Sequence, residues 1–231
     1  MLGLSRNPPP ASRTLRVMAA LLGYPSVEMR ACLDEMDEWL QTEAALSPDR
    51  LAELRALIGS LKRADVIDAE ADYVQLFDRG RATALHLFEH VHGDSRERGP
   101  AMIDLAQMYA QRGLLLAPGE LPDYLPAVLE FASSLKPREA RDFIGEFAHI
   151  LNVLFNALQQ RGSAYASVLG ALLELAGEPA QAVKIAAEEP LDESWAEPVV
   201  FDGCSSRGQA RPGQPQPIAV VRKNPSTGVV A

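Results

Sequence analysis

Three of the four histidines in this 231-residue chain fall within the stretch Leu85-His86-Leu87-Phe88-Glu89-His90-Val91-His92-Gly93. Read as a helix, His86 and His90 stand at i and i+4 and share one face, as metal ligation requires. The string His86-x-x-Glu89-His90 also fits the inverted zinc-peptidase pattern H-x-x-E-H, in which the glutamate would activate a metal-bound water. A third ligand would have to come from downstream, and Glu130, Glu139, Glu146 and Glu174 are available with nothing to single one out. The competing reading needs no metal. Leu85, Phe88 and Val91 pack or line a groove, the imidazoles make hydrogen bonds, and binding there responds to pH near neutrality.

Other chemistry is sparse. The chain has no G-x-x-x-x-G-K-[ST] phosphate loop, no G-x-G-x-x-G fingerprint and no G-x-S-x-G nucleophile elbow. His149, set between Phe147 and Ile150, reads as a partly buried core histidine. Cys32 reads as an inert helical thiol. With Cys204 as the second of only two cysteines, neither a disulfide framework nor a cysteine-rich zinc site can form. The run Gly93-Asp94-Ser95-Arg96-Glu97-Arg98-Gly99 reads as a solvated connector.

The elements that must position these residues are helices. Ser12 is expected to cap a helix carrying Leu15, Met18, Ala19 and Leu22. Pro25-Ser26 opens a second helix, to about Gln41, with Val27, Leu33, Met36 and Leu40 inward. Ser47-Pro48 combines an N-cap with proline at the first helical position. Leu51, Leu54, Ile58 and Leu61 follow it at amphipathic spacing. A fourth helix runs from about Asp65 to Phe77. A fifth, from about Pro100 to Arg112, turns Met102, Leu105, Met108 and Tyr109 inward and stops at Gly113. Asp123 is expected to cap the next, with Pro126 in its first turn, where a missing N–H costs nothing. After Lys136-Pro137 one long helix should reach Gly162, and Ser163 should cap the last apolar stripe, Tyr165, Val168, Leu169, Leu172 and Ala176, which stops before Gly177. No period-2 alternation or tight hairpin signal interrupts this series, so the fold class is all-α, a globular multi-helix bundle.

Composition sets the outer bounds. Lys and Arg number 22 against 31 Asp and Glu, a net charge of −9, which argues against nucleic acid as the main partner. No run of about 18 uncharged apolar residues is present, so direct membrane insertion is not expected. Seven of the 17 prolines lie beyond residue 177, so the far end differs from the body. Residues 1–11 read as a flexible N-terminus, 12–201 as the helical domain and 202–231 as a Pro/Gly-rich mobile tail. A short helix is conceivable over Ala180 to Glu188, and Trp195 to Phe201 could dock on the body.

Taken in order, Asp72-Tyr73-Val74-Gln75-Leu76-Phe77-Asp78, the His86 block through Arg96, Leu121-Pro122-Asp123-Tyr124-Leu125, Leu129-Glu130-Phe131 and Trp195-Ala196-Glu197-Pro198-Val199 resemble one family. It comprises the assembly chaperones of respiratory nitrate reductase, the NarJ type, within the TorD/DmsD-like redox-enzyme maturation chaperones. The resemblance spans about residues 14–201. The His-rich block is specific to the nitrate reductase branch, and Asp72 stands where the wider group often has Glu.

The resemblance implies a TorD-like all-α fold and a cytoplasmic binding protein rather than an enzyme. Its partner would be the N-terminal peptide of the catalytic (alpha) subunit, whose bis-molybdopterin guanine dinucleotide cofactor it would help insert without holding it stably. Membrane docking of the client would be delayed meanwhile, and proteins of molybdenum cofactor biosynthesis are further implied partners. The residues carried over as peptide-binding are Tyr73, Phe77, His86, Phe88, Glu89, His90, His92, Leu121, Asp123 and Tyr124. The sequence leaves open whether the helices stay within one chain or are exchanged in a homodimer, with Pro118 to Pro126 as the hinge.

Overall fold

The computed structural model describes residues 10–91 and 96–182, and among these it contains eleven α-helices and no extended strand. The expected short helix after residue 179 is coil over 180–182 and otherwise lies outside the described residues. The expected docking segment Trp195 to Phe201, the tail and His92 also lie outside them.

The most apolar segments form the centre. α1 (Ser12–Leu22) buries seven of its eleven residues and packs on α8 (Leu125–Ser133), of which eight of nine are buried. α11 (Ala166–Ala176) buries another eight and packs against α4 (Pro48–Arg63), α9 (Pro137–Glu146) and α10 (Ala148–Gln160). Leu15, Met18, Leu22, Leu54, Leu129 and Leu169 are at most 1% exposed, so removing water from these faces is the main stabilising contribution. α2 (Val27–Ala31) and α3 (Leu33–Glu43) lie at the edge, with α3 covering α1.

Local signals placed several ends correctly. Ser47 accepts a hydrogen bond from the Arg50 amide and Pro48 is the first helical residue. Gly113 (φ +77°) follows α7 (Arg98–Gln111), and Gly177 (φ +77°) ends α11 with the Arg141 side chain against its Cα. A Cβ at Gly177 would meet that guanidinium, so both conformation and space require glycine there.

Other expectations are corrected. The second predicted helix is two, broken at Cys32 (φ −91°, ψ −1°), and Val27 faces out at 61% exposure. Cys32 is exposed, in that break. The predicted long helix after Pro137 is also two, broken at Phe147 (φ −96°, ψ 2°). His149 is exposed rather than partly buried, on the outer side of the first turn of α10 between Ala148 and Ile150, which both face the core. Met108 is 40% exposed. Ser12 does not cap α1; it lies in the first turn and its hydroxyl donates to the Ser133 carbonyl at 2.6 Å.

The amides opening α1 are satisfied from elsewhere. Glu43, at the end of α3, accepts the Arg13 and Thr14 N–H groups at 3.1 and 2.6 Å and the Thr14 hydroxyl at 2.7 Å. Glu174 of α11 accepts the Ser47 amide and hydroxyl at 2.6 and 2.7 Å. Carboxylates from one helix thus meet the positive N-terminal end of another, which ties elements together as well as satisfying donors.

α5 (Val66–Tyr73) runs into a wider turn, Val74–Asp78, closed by the Arg79 amide donating to the Val74 carbonyl at 3.3 Å. Tyr73 and Phe77, each 4% exposed, meet Tyr165 at ring distances of 6.3 and 5.1 Å. The Tyr165 hydroxyl is buried and finds no hydrogen-bond acceptor among the described residues, and burial with the nearby Asp72 charge pushes its pKa up to about 12. Tyr165→Phe is therefore expected to keep the ring packing and remove an unpaired polar group. Its urea midpoint should equal or exceed that of the parent, and a loss above about 1 kcal/mol would contradict the assignment.

Candidate functional site

Two stretches that are well separated in sequence form one structure. The Leu87 amide donates to the Asp123 carbonyl at 3.0 Å and the Leu125 amide to the Leu85 carbonyl at 2.8 Å, pairing His86 with Tyr124 in an antiparallel bridge. Immediately after this bridge the chain turns into α6 (Leu87–Val91). His86 therefore precedes the helix in extended backbone, and the i, i+4 face expected for His86 and His90 does not exist.

Asp123 is the centre of the arrangement. Its side chain is 0% exposed. One carboxylate oxygen accepts the Phe88 amide at 3.1 Å and the other lies 3.4 Å from His86 Nδ1. Arg98, opening α7, comes within 3.9 Å of the same carboxylate and 3.4 Å of Glu89. The expected cap on its own helix is absent, since α8 begins after Tyr124 without a side-chain cap. Asp123 caps α6 instead. The reason is positional: the bridge brings the first turn of α6 directly over the carboxylate, and burial makes an unsatisfied amide there costly.

His90 faces elsewhere, with Nε2 2.8 Å from the Ala84 carbonyl, so that nitrogen carries the proton and donates. Glu139 pairs with Arg112 and Glu174 serves Ser47, which occupies two of the downstream carboxylates considered for a metal. Among the described residues no group of three or more His, Cys, Asp or Glu side chains converges as a metal centre. The H-x-x-E-H match is a coincidence of letters; its residues have separate structural partners.

The remaining predicted site residues divide by exposure. Leu121 is 43% exposed, Glu89 is exposed, and Phe88 and Tyr124 are half-buried. Val91, at 49%, extends this apolar rim. The Tyr124 ring lies 5.4 Å from the His86 ring. Tyr73 and Phe77 are core, behind the rim rather than on it. The Tyr73 hydroxyl donates to the Leu22 carbonyl at 2.8 Å and lies 3.3 Å from the Tyr124 hydroxyl, which must then be the donor between the two. Burial is the main cause that pushes the Tyr73 hydroxyl well above the ordinary tyrosine range.

Two contributors escaped the sequence reading. Arg98 lies in a run that reads as a solvated connector, with no local signal of its reach to Asp123. Tyr109 was placed inward by helical spacing, but not its hydroxyl, which donates to the Pro122 carbonyl at 2.8 Å and pins the residue before Asp123.

The hydrogen bond to Asp123 raises the His86 pKa above 6.5; partial burial opposes it, Asp123 and Glu89 charges add to it, and Arg98 subtracts. Folding thus favours protonated His86. The resulting stability is fully present below the unfolded imidazole's pKa and is lost as pH rises through the raised value, a decline to be measured by comparing about pH 6 with about pH 8. Urea unfolding at the two pH values should show this decline in the parent and a flatter profile in His86→Gln.

The description of a family model, the nitrate reductase delta subunit, matches residues 29–170. The chain is 42% identical over 180 residues to the nitrate reductase molybdenum cofactor assembly chaperone NarJ of Escherichia coli K12, covering 78% of this chain and 76% of that protein. A probable assembly chaperone of the same name from Bacillus subtilis 168 is 31% identical over 163 residues, 69% of this chain and 86% of that one. Among solved structures, a chain described as a redox enzyme maturation protein from Archaeoglobus fulgidus superimposes with a TM-score of 0.50 at 20% identity, over 72% of this chain and 94% of that one, which supports the fold. The matched span runs from α2 into α11 and includes the His86 block, its bridge to Tyr124 and the Asp123 carboxylate that holds them, so this site lies inside what is shared: the chain belongs to the nitrate reductase delta subunit family.

Proposed function

We propose that the chain is a system-specific chaperone that binds the N-terminal peptide of the nitrate reductase catalytic subunit. It is a binding protein rather than an enzyme, as its relatives' names indicate. The observation that carries the reading is the set of half-buried or exposed apolar residues, Phe88, Val91, Leu121 and Tyr124, carried by the two segments that the buried Asp123 joins. A hydrophobic edge with a fixed polar floor suits an amphipathic helix laid along it, the aromatic rings giving contact area at low entropic cost. Holding that peptide would delay docking of the client on its membrane subunit while bis-molybdopterin guanine dinucleotide is inserted with the help of the cofactor's biosynthesis proteins. The chaperone itself would keep no cofactor. Such work belongs in the cytoplasm, and no helix among the described residues is long and apolar enough to cross a membrane.

Calorimetric titration with a synthetic peptide of the client N-terminus tests the reading. Binding should weaken by about tenfold in Phe88→Ala, the loss of roughly 1.4 kcal/mol of contact. His86→Ala and His90→Ala should weaken it as well, with far-UV circular dichroism unchanged in all three. No heat of binding anywhere between about pH 5.5 and pH 8 would overturn it.

A further inference from the structure

α10 carries a surface of another chemistry. Its 13 residues include no Asp, Glu, Lys or Arg, although charged residues make up 23% of the chain. One side is core, with Ile150, Leu151, Leu154 and Leu158 at most 2% exposed. On the outer side Asn152, Asn156 and Gln160 follow one another at four-residue spacing, so their carboxamides form one row. The first two are engaged. Past α11 the Gly177 and Glu178 amides donate to the Glu174 and Leu173 carbonyls, both at 2.9 Å, which closes that helix, and Pro179 bars another turn. The chain then comes back over α10. Asn152 Nδ2 and Asn156 Nδ2 donate to the Gln181 carbonyl at 3.0 and 2.8 Å, and Asn152 Oδ1 accepts the Gln181 amide at 2.9 Å.

We propose that Asn152 and Asn156 form a binding site for a peptide main chain, and that the segment Glu178–Gln181 of this same chain occupies it as a releasable strap. A carboxamide offers a donor and an acceptor, the same pair that a peptide group offers. Being uncharged, it pairs with backbone whatever side chain that backbone carries. All three bonds accordingly fall on main-chain atoms of Gln181. The strap is releasable because it buries no side chain of its own: residues 177–182 are all exposed. α10 and α11 keep their buried faces on each other whether the strap is seated or not. A segment held by exposed hydrogen bonds, with no apolar contact to lose, belongs to the part of a fold that opens first. Opening bares both asparagines and leaves the helices in place. The site lies apart from Asp123, and its assignment does not rest on the chaperone reading.

Amide hydrogen exchange on the full chain tests this. In the parent the Gln181 amide should be protected, yet exchange faster than the Leu154 amide and stay insensitive to low urea, as a local opening does. Asn152→Ala combined with Asn156→Ala should reduce protection at Gln181 about tenfold and speed tryptic cleavage after Lys184 to a similar degree. The urea midpoint and the far-UV circular dichroism of that variant should match the parent, because the strap opens without the body. Gln181→Ala should keep the parent's protection, since the site pairs with main chain and not with the glutamine side chain. Any of three results would overturn the proposal. One is equal protection at Gln181 in the parent and in the double asparagine variant. Another is a loss of protection in Gln181→Ala as large as in that variant, which would make the side chain the recognised group. The third is a urea dependence at Gln181 that tracks Leu154, which would mean that the strap opens only when the whole fold does.

Discussion

Asp123→Ala is expected to lower folding stability by about 2–4 kcal/mol, measured by urea unfolding near pH 6. The substitution deletes a carboxylate that is fully buried and that serves the Phe88 amide, His86 and Arg98 together. It leaves the amide without its acceptor and the guanidinium without its closest buried counter-charge, and it opens a small cavity behind the bridge between His86 and Tyr124. Asp123→Asn separates these effects. Its carbonyl can still accept from Phe88, so the cap survives, while the charge that favours protonated His86 is gone. The asparagine variant should therefore lose about half as much stability as the alanine variant and should also lose the decline between about pH 6 and 8. If the chaperone reading holds, alanine also releases α6 from its floor and client-peptide affinity falls with it. An alanine variant as stable as the parent would mean that Asp123 does not organise the site.

What could be read from the sequence was what is local. Ser47-Pro48, Gly113 and Gly177 announce helix ends because a cap or a positive φ is decided by one or two residues. The inward stripe of α11 was legible because Tyr165, Val168, Leu169, Leu172 and Ala176 are all buried as the spacing required. The break at Cys32 carries neither proline nor glycine, and at Phe147 the nearest glycine, Gly145, lies inside α9 without stopping it. Both breaks arise where successive helices must change direction to cover different neighbours, and periodicity alone joins them. The carboxylates that serve the starts of α1 and α6, and the one that holds the Ser47 cap of α4, were illegible for a related reason. Glu43, Glu174 and Asp123 stand 29, 127 and 35 residues from the groups they satisfy, and a carboxylate's partner at that range is set by the fold. At the candidate site, the residue types were recognisable but their roles were not. His86 and His90 looked like a helical pair until the bridge to Tyr124 assigned them different backbone and different partners. Tyr73 and Phe77, conspicuous as aromatic anchors, turn out to brace the site from within.

Tyr73→Phe should show that bracing as a loss of about 1–3 kcal/mol, despite the removal of a single oxygen atom. The hydroxyl is the partner of the Leu22 carbonyl at the end of α1 and of the Tyr124 hydroxyl beside His86. Without it, a carbonyl at the end of α1 loses its donor, and Tyr124 must find another acceptor or turn outward. The aromatic packing with Phe77, ring distance 4.8 Å, and with Tyr24 remains, so helicity by circular dichroism should be unchanged. The comparison with Tyr165→Phe makes the result specific. Both changes delete one buried hydroxyl from adjoining rings, but of the two only the Tyr73 hydroxyl has partners among the described residues, so only its loss should move the urea midpoint downward. A double-mutant cycle with Tyr124→Phe apportions the effect, because the coupling between the two tyrosines should be smaller than the loss at Tyr73 alone. The remainder is the bond to Leu22, through which the end of α1 supports the rim. Equal midpoints for the Tyr73→Phe and Tyr165→Phe variants would refute this account of how the site is held.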